Sequence, residues 1–533
     1  MIARTPAGGV LSNRRYRSVV VAVIVGVFLA IVVPVTVDAS TARGSAAPAR
    51  AGGPQISWTA CGPRLECANV PVPLDWAHPN GPRIALAVAR HLASHPEQRI
   101  GSLFVNPGGP GDSGVAEVAE RGQALDAMTG GHFDIVGWDL RGGAGASAPV
   151  SCFTNASERA SFWQDLPVPT TRAEERRYLA KTIALAQRCG ELNGELLAHI
   201  ATADTARDLD HLRRLVGDRR LSYFGESFGT LIGQTYANLF PRRVRAMALD
   251  GLEDPVASAA GTEAILASGL ADTDRVFHQF LKLCQAAGPD RCALAGHGPV
   301  APRVHRLLAR LRHHPIPAPS ADPPGELTYG EALTALKLAA LPEPGAWPFA
   351  AAALEAAIQG DASVVATIAR QFASDQGRMA LQEQSVALLC ADSPARHPAS
   401  AWPRVVDRLE AISRIGGPVV GWLAGAPCAS WPTPSANRYT GPWNATTRNP
   451  ILVIGTRFDP TTPFRNAPLA ARRLGNAVLL THDGYGHLSH RDPSTCVMRA
   501  TGSYLVNLTT PPPGTICPSD HLPFDPDFGQ PVP

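Results

Sequence analysis

The sequence predicts an α/β fold: a mostly parallel sheet with an inserted helical cap. Three observations carry this. Apolar runs suited to strands alternate with helical stretches from about residue 84 to residue 250, the alternation that βαβ units require. Between about residues 255 and 417 strand-like runs become scarce and apolar residues repeat at helical spacing. A strand pattern resumes at Pro450 and again at Asn476, so the helical region reads as an insertion rather than a separate domain.

The chain opens on a targeting segment, residues 1–39. Arg14, Arg15 and Arg17 precede a continuous apolar run over residues 19–33, and Val37-Asp38-Ala39 offers small residues at cleavage spacing, with Ala46-Ala47 as a second option. This is a signal peptide or, if uncleaved, an N-terminal membrane anchor, because the run is borderline for a span of about 20 residues. Residues 40–55, rich in Ala, Gly, Pro and Arg, form a linker.

The first part of the sheet domain covers residues 56–254. Strands are expected over 84–90, 101–106 and 133–139. The second ends in Pro107-Gly108-Gly109-Pro110-Gly111-Asp112-Ser113-Gly114, whose bare backbone N–H groups suit either a phosphate or an oxyanion. No Lys-Ser/Thr follows, and the glycines do not fit a dinucleotide fingerprint, which leaves the oxyanion. The third ends at Asp139-Leu140-Arg141-Gly142, expected to brace its loop by an ion pair. A charged helical stretch over 172–215 precedes a strand at 221–224, a helix, and a strand at 244–250.

In the cap, residues 255–417, Val276, Phe277, Phe280, Leu281 and Cys284 mark one helix face. Alanine-rich helices are expected over 332–341 and 350–358, with a proline-rich break at 315–324. The second part of the sheet domain, 418–533, supplies strands at 450–455 and 476–480 and a tail beyond Pro511, expected to be irregular and pinned by Cys517.

Composition narrows the class. With 45% hydrophobic and 17% charged residues the chain is a folded protein. A net charge of +3 over 533 residues, without a long basic run, gives no case for nucleic acid or an acidic membrane surface; membrane contact is expected only through the N-terminal segment. Ten cysteines, an even count in an exported chain, imply disulfides. Their spacing invites pairing of sequence neighbours, although sequence does not fix connectivity. No C-x-x-C pair is present, which argues against a zinc ribbon or a thioredoxin-type motif.

The chemistry centres on Gly225-Glu226-Ser227-Phe228-Gly229, the G-x-S-x-G pattern of a nucleophile elbow between strand and helix. A serine nucleophile needs a base, and the base needs an acid to orient it, here in the order serine, acid, histidine. Asp459 follows a late strand in Phe458-Asp459-Pro460-Thr461-Thr462-Pro463, and His487 follows the last strand in Asp483-Gly484-Tyr485-Gly486-His487. His482, at the strand end, His490, in the expected following helix, and Asp483, adjacent to the histidine loop, are the competitors. The backbone N–H groups of Gly109 and Phe228 are the expected oxyanion donors. This mechanism needs no metal or organic cofactor.

The chain resembles the secreted tripeptidyl-aminopeptidase-like α/β-hydrolases of actinobacteria, related to prolyl aminopeptidases. The resemblance rests on Asn106-Pro107-Gly108-Gly109-Pro110-Gly111, Asp139-Leu140-Arg141-Gly142, Gly225-Glu226-Ser227-Phe228-Gly229-Thr230, Leu249-Asp250-Gly251, Asp459-Pro460-x-Thr462-Pro463 and Gly484-x-Gly486-His487. It departs from prolyl aminopeptidases at Pro107, where they carry a histidine. The resemblance implies an α/β-hydrolase fold with a helical cap and an exported serine exopeptidase that releases short peptides from N-termini. Such enzymes bind a free α-amino group through carboxylates, for which Glu226, Glu253 and Asp392 are the candidates. A carboxylesterase acting on acyl esters would use the same triad. A silent binding protein on this scaffold is argued against by the presence of all three triad residues.

Overall fold

Runs of six or more buried residues build the centre of the molecule. Every residue of β4 (Gly101–Asn106), β5 (Phe133–Trp138) and β6 (Leu221–Glu226) is buried, as strands covered on both faces must be. The computed structural model describes residues 55–529 except 144, 145, 147, 165, 375, 433, 434 and 436. They belong to a unit spanning residues 53–533. The expected targeting segment, 1–39, and the expected linker, 40–55, apart from its last residue, lie outside the described residues.

The remaining strands are β1 (Thr59–Gly62), β2 (Leu65–Pro73), β3 (Arg83–His91), β7 (Val244–Asp250), a short pair β8 (Ile316–Ala318) and β9 (Gly325–Leu327), then β10 (Ile451–Phe458), β11 (Ala477–Tyr485) and β12 (Ile516–Pro518). Ten of them form one sheet in the order β1-β2-β3-β5-β4-β6-β7-β10-β11-β12. It is antiparallel from β1 to β5 and parallel from β5 to β12. This is the α/β-hydrolase fold. Parallel strands need crossovers, and the helices that bear on the site are α1 (Gly114–Met128), α2 (Arg172–Asn193), α3 (Thr202–Leu215), α4 (Phe228–Leu239), α5 (Thr273–Ala287), α6 (Gln376–Asp392) and α7 (Thr495–Asn507).

Several expectations change. The helical stretch at 172–215 is two helices joined by a 3-10 turn, Gly194–His199, since Gly194 at φ 52° ends α2. The proline-rich break at 315–324 closes the β8–β9 hairpin. The alanine-rich helix expected at 332–341 starts at Tyr329 and becomes a π-helix over Ala335–Ala340. The tail is not irregular throughout: β12 pairs with β11, and Cys517 within it is bonded to Cys496 of α7. All five disulfides join sequence neighbours, 61–67, 152–189, 284–292, 390–428 and 496–517.

Between β7 and β10 the chain is mainly helical, and among the contacts that tie this region to the sheet two bear on the site. Trp347, fully buried, packs edge-on against Tyr485 at the end of β11, and Tyr485 stacks on Phe458 at the end of β10 with ring centroids 5.0 Å apart. On α6, the Ser385 hydroxyl donates to the carbonyl of Pro110, 2.6 Å away, so this helix rests on the glycine loop after β4. Among the described residues no helix is long and apolar enough to cross a membrane.

Candidate active site

The turn between β6 and α4 puts Ser227 at φ 53°, ψ −122°, a region in which a residue with a β-carbon is strained. The neighbours leave no alternative. A β-carbon at 225 would lie 2.6 Å from the carbonyl oxygen of Gly229, and one at 229 would lie 2.6 Å from that of Asn106. Both elbow glycines are therefore set by close backbone approach. The Tyr223 hydroxyl donates to the Gly229 carbonyl (2.8 Å) and the Ser227 N–H to the carbonyl of Asp250 on β7 (2.9 Å), holding the turn from both sides.

Ser227 Oγ lies 2.9 Å from Nε2 of His487. Nδ1 of the same ring lies 3.0 Å from Oδ2 and 3.2 Å from Oδ1 of Asp459. The two loops leave adjacent parallel strands, Asp459 just after β10 and His487 just after β11. Burial alone would raise the Asp459 carboxyl. The His487 ring beside it and the N–H groups of Thr461 (2.7 Å) and Thr462 (2.9 Å) outweigh burial and hold it below the usual carboxylate range. The Thr462 hydroxyl donates to Asp459 Oδ2 (2.8 Å) and lies 3.3 Å from His487 Nδ1. His482, by contrast, is buried inside β11, where burial lowers its imidazole to about 4. Asp483 pairs with Arg457.

Of the two glycines that end β4, Gly108 is the one pressed on the elbow: a β-carbon there would lie 2.8 Å from Ser227 Cβ and 3.0 Å from the Phe228 nitrogen. Gly109 follows at φ 106°. The N–H of Phe228 opens α4, where no intrahelical acceptor is available to it.

The three carboxylates expected to bind an amine separate. Glu226 is buried and committed. Arg121 Nη1 of α1 donates to it at 2.8 Å and His490 Nδ1 lies 2.8 Å away. Burial would raise this carboxyl, but His490 and Arg121 keep it well below the usual range. Asp392 is also committed: it accepts from the backbone N–H (3.0 Å) and hydroxyl of Thr202 at the start of α3, and burial raises it to about 6. Both carboxylates are therefore engaged by this chain's own groups. Glu253 differs. Its backbone bonds to Thr230 Oγ1 and Gln234 Nε2 on α4, but its half-buried carboxyl makes no hydrogen bond or ion pair with any described residue. Burial raises that carboxyl to about 7, against the opposing influence of His487. The same short loop touches the base: a β-carbon on Gly251 would lie 3.6 Å from His487 Cε1.

Other expectations are also revised. Arg141 does not pair with Asp139. It is fully buried and bidentate on Asp208 of α3, at 2.6 and 2.7 Å, while Asp139 accepts from Ser113 Oγ and the Val115 N–H. His490 lies in a 3-10 turn, Ser489–Arg491, ahead of α7. Its role as the partner of Glu226 had no signal in the local sequence, nor did that of Arg121, 105 residues upstream.

Residues 101–287 match the family model described as alpha/beta hydrolase fold, and residues 417–517 match the one described as TAP-like protein. The serine protease Hip1 of Mycobacterium tuberculosis is 31% identical over 490 residues, 87% of this chain and 91% of that one. The tripeptidyl aminopeptidase of Streptomyces lividans is 31% identical over 486 residues, 87% of each chain. The carboxylesterase B of M. tuberculosis is 32% identical over 485 residues, 87% of this chain and 90% of that one. The chain belongs to the TAP-like α/β-hydrolases. It is a serine hydrolase. Within this TAP-like chain the elbow lies in the part matched as hydrolase fold, and the acid and histidine loops lie in the part matched as TAP-like.

Proposed function

We propose that the protein is an extracytoplasmic serine aminopeptidase that removes short peptides, tripeptides in the first instance, from N-termini. The observation that carries the chemistry is the unbroken contact line from Ser227 Oγ through His487 to Asp459. His487 Nε2 takes the Ser227 proton as Oγ attacks the scissile carbonyl carbon, and Asp459 orients the ring and stabilises the imidazolium. The Gly109 and Phe228 N–H groups hold the oxyanion, each worth about 3 kcal/mol. The tetrahedral adduct collapses, the C–N bond breaks, and the leaving amine takes the proton from His487. Water then attacks the acyl-Ser227 ester by the same path and releases the acid.

The peptidase reading, rather than an esterase one, is supported by Glu253. A carboxyl without a partner in the loop that touches the base suits a substrate ammonium, whose charge would restore its ionised form. The names of the Hip1 and tripeptidyl-aminopeptidase relatives support the same class. The basic–apolar start of the chain and the five disulfides support export. The relative named carboxylesterase B keeps acyl-ester hydrolysis as the second reading. The test is turnover of tripeptide amides with free and with acetylated N-termini, beside short-chain p-nitrophenyl esters. Cleavage of the free peptides with rejection of the acetylated ones is expected; turnover of esters alone would make the protein an esterase.

A further inference from the structure

Lys337 is a buried cation beside the acid loop that the chemistry above leaves unused. It sits in the π-helix Ala335–Ala340, is only 4% exposed, and has no carboxylate within ion-pair distance among the described residues. A buried ammonium without a paired anion is destabilising. Its position therefore needs a reason, and π-helical turns recur at functional sites. Nζ donates to the carbonyl oxygen of Pro460 at 2.6 Å and lies 3.4 Å from Thr273 Oγ1 of α5, and that hydroxyl donates to the same carbonyl at 2.8 Å. Pro460 directly follows Asp459.

The residues just after the π-helix hold the other loop. The His487 N–H donates to the carbonyl of Pro342 at 2.9 Å. A β-carbon at Gly486 would lie 2.4 Å from Pro344 Cδ and 2.8 Å from the Pro342 oxygen, so this contact admits only glycine. Glu343 pairs with Arg491 beyond the histidine. Residues 337–344 therefore touch both the acid loop and the base loop.

We propose that Lys337 is a positioning residue that fixes the Asp459 carboxylate against His487, with residues 337–344 of the inserted helical region acting as a clamp across the two loops. The proposal rests on the triad reading. The charged groups that bear on Lys337 are Asp459 on the acid loop and Asp274 on α5, and burial lowers its ammonium to about 8 against both. Asp274 is bonded to Ser413 Oγ and to the N–H groups of Arg414 and Ile415, whereas the loop that Lys337 itself bonds, through the Pro460 carbonyl, is the one that carries Asp459.

The test follows phosphonylation of Ser227 by a fluorophosphonate probe in wild type, Lys337→Met, Lys337→Arg and Thr273→Val, with circular dichroism to establish folding. In Lys337→Met the maximal labelling rate is expected to fall at least about tenfold, with half-saturating probe concentration changed by less than about twofold, because placement of the base is lost and probe binding is not. Lys337→Arg should recover part of the rate, and Thr273→Val should lose less than Lys337→Met. The far-downfield proton resonance of the Asp459–His487 hydrogen bond should broaden or shift in Lys337→Met. A folded Lys337→Met that labels at the wild-type rate with an unchanged resonance overturns the clamp. If Lys337→Met does not fold, wild-type rates in both Lys337→Arg and Thr273→Val overturn it. Ser227→Ala separates the two failures: labelling of that variant would sink the triad itself, whereas a silent Ser227→Ala beside a fast Lys337→Met would sink only the clamp.

Discussion

Ser227 occupies a positive-φ conformation that costs a residue with a β-carbon roughly 1–3 kcal/mol, and the surrounding bonds hold it there. Ser227→Ala should keep the fold and lose activity by on the order of 10⁴-fold or more, read as turnover of whichever substrate the wild type accepts. Glu253→Gln keeps the side chain's size and removes its charge. It should raise KM for free-amine peptides while leaving ester turnover unchanged; an equal loss on both would assign Glu253 to the chemistry rather than to the amine. Asp250 offers a pH test. Burial, followed by the nearby Glu226 charge, raises its carboxyl to about 7, although Ser489 donates to it twice. A carboxyl raised in the folded state retains a proton that the unfolded chain releases near 4, so its stabilisation is complete below that pH and is lost as pH rises through about 7. The stability of wild type relative to Asp250→Asn should therefore fall between about pH 4 and pH 7, by at most roughly 4 kcal/mol, and level off above. Urea midpoints of the two proteins across that range measure it. The triad positions were legible because loop chemistry and chain order mark them. The carboxylates were not, because what distinguishes Glu226 and Asp392 from Glu253 is a partner 105 or 190 residues away.

The elbow depends on what β4 and β6 present to each other. Gly229→Ala would drive a methyl into the Asn106 carbonyl and within 2.9 Å of its Oδ1, which accepts the Gly108 N–H. Relief requires the end of β4 to move, and with it the glycine loop. The variant should lose about 1–3 kcal/mol of stability and a larger share of activity than of folded protein, measured by urea unfolding alongside turnover. Central strands were readable because a doubly covered parallel strand is an unbroken apolar run, as in Ile451-Leu452-Val453-Ile454. The β1–β2 hairpin was missed because an edge strand is half exposed and its pattern is mixed, with Pro71 and Pro73 inside β2. The π-helix was read as an ordinary helix. Its sequence, Ala-Leu-Lys-Leu-Ala-Ala, suits α-helix, and only tertiary contacts widen the turn.

At the scale of the molecule, the disulfides do different work by position. Cys61–Cys67 closes a loop within the edge hairpin, whereas Cys390–Cys428 anchors the end of α6, the helix that rests on Pro110. Replacing Cys390 and Cys428 together by alanine removes a cross-link worth roughly 4 kcal/mol in chain entropy and frees that helix. It should depress both the thermal midpoint and turnover, while the Cys61/Cys67 double variant should leave turnover near wild type. Calorimetry and steady-state rates decide between these outcomes. Spacing invited the pairing of neighbours along the chain without fixing it. What the pairs hold did not, because it depends on contacts between distant segments.

The sheet order places β10, β11 and β12 last, beyond β7. During synthesis the nucleophile strand is complete more than 200 residues before the acid and base loops exist. Until β10 docks, β7 is an open edge of unpaired amides, and Ser227 has no proton acceptor. A nascent or truncated chain therefore cannot hydrolyse anything around it. Acquisition of activity reports that β10 and β11 have docked, which gives the hydrolase a latency set by chain order alone.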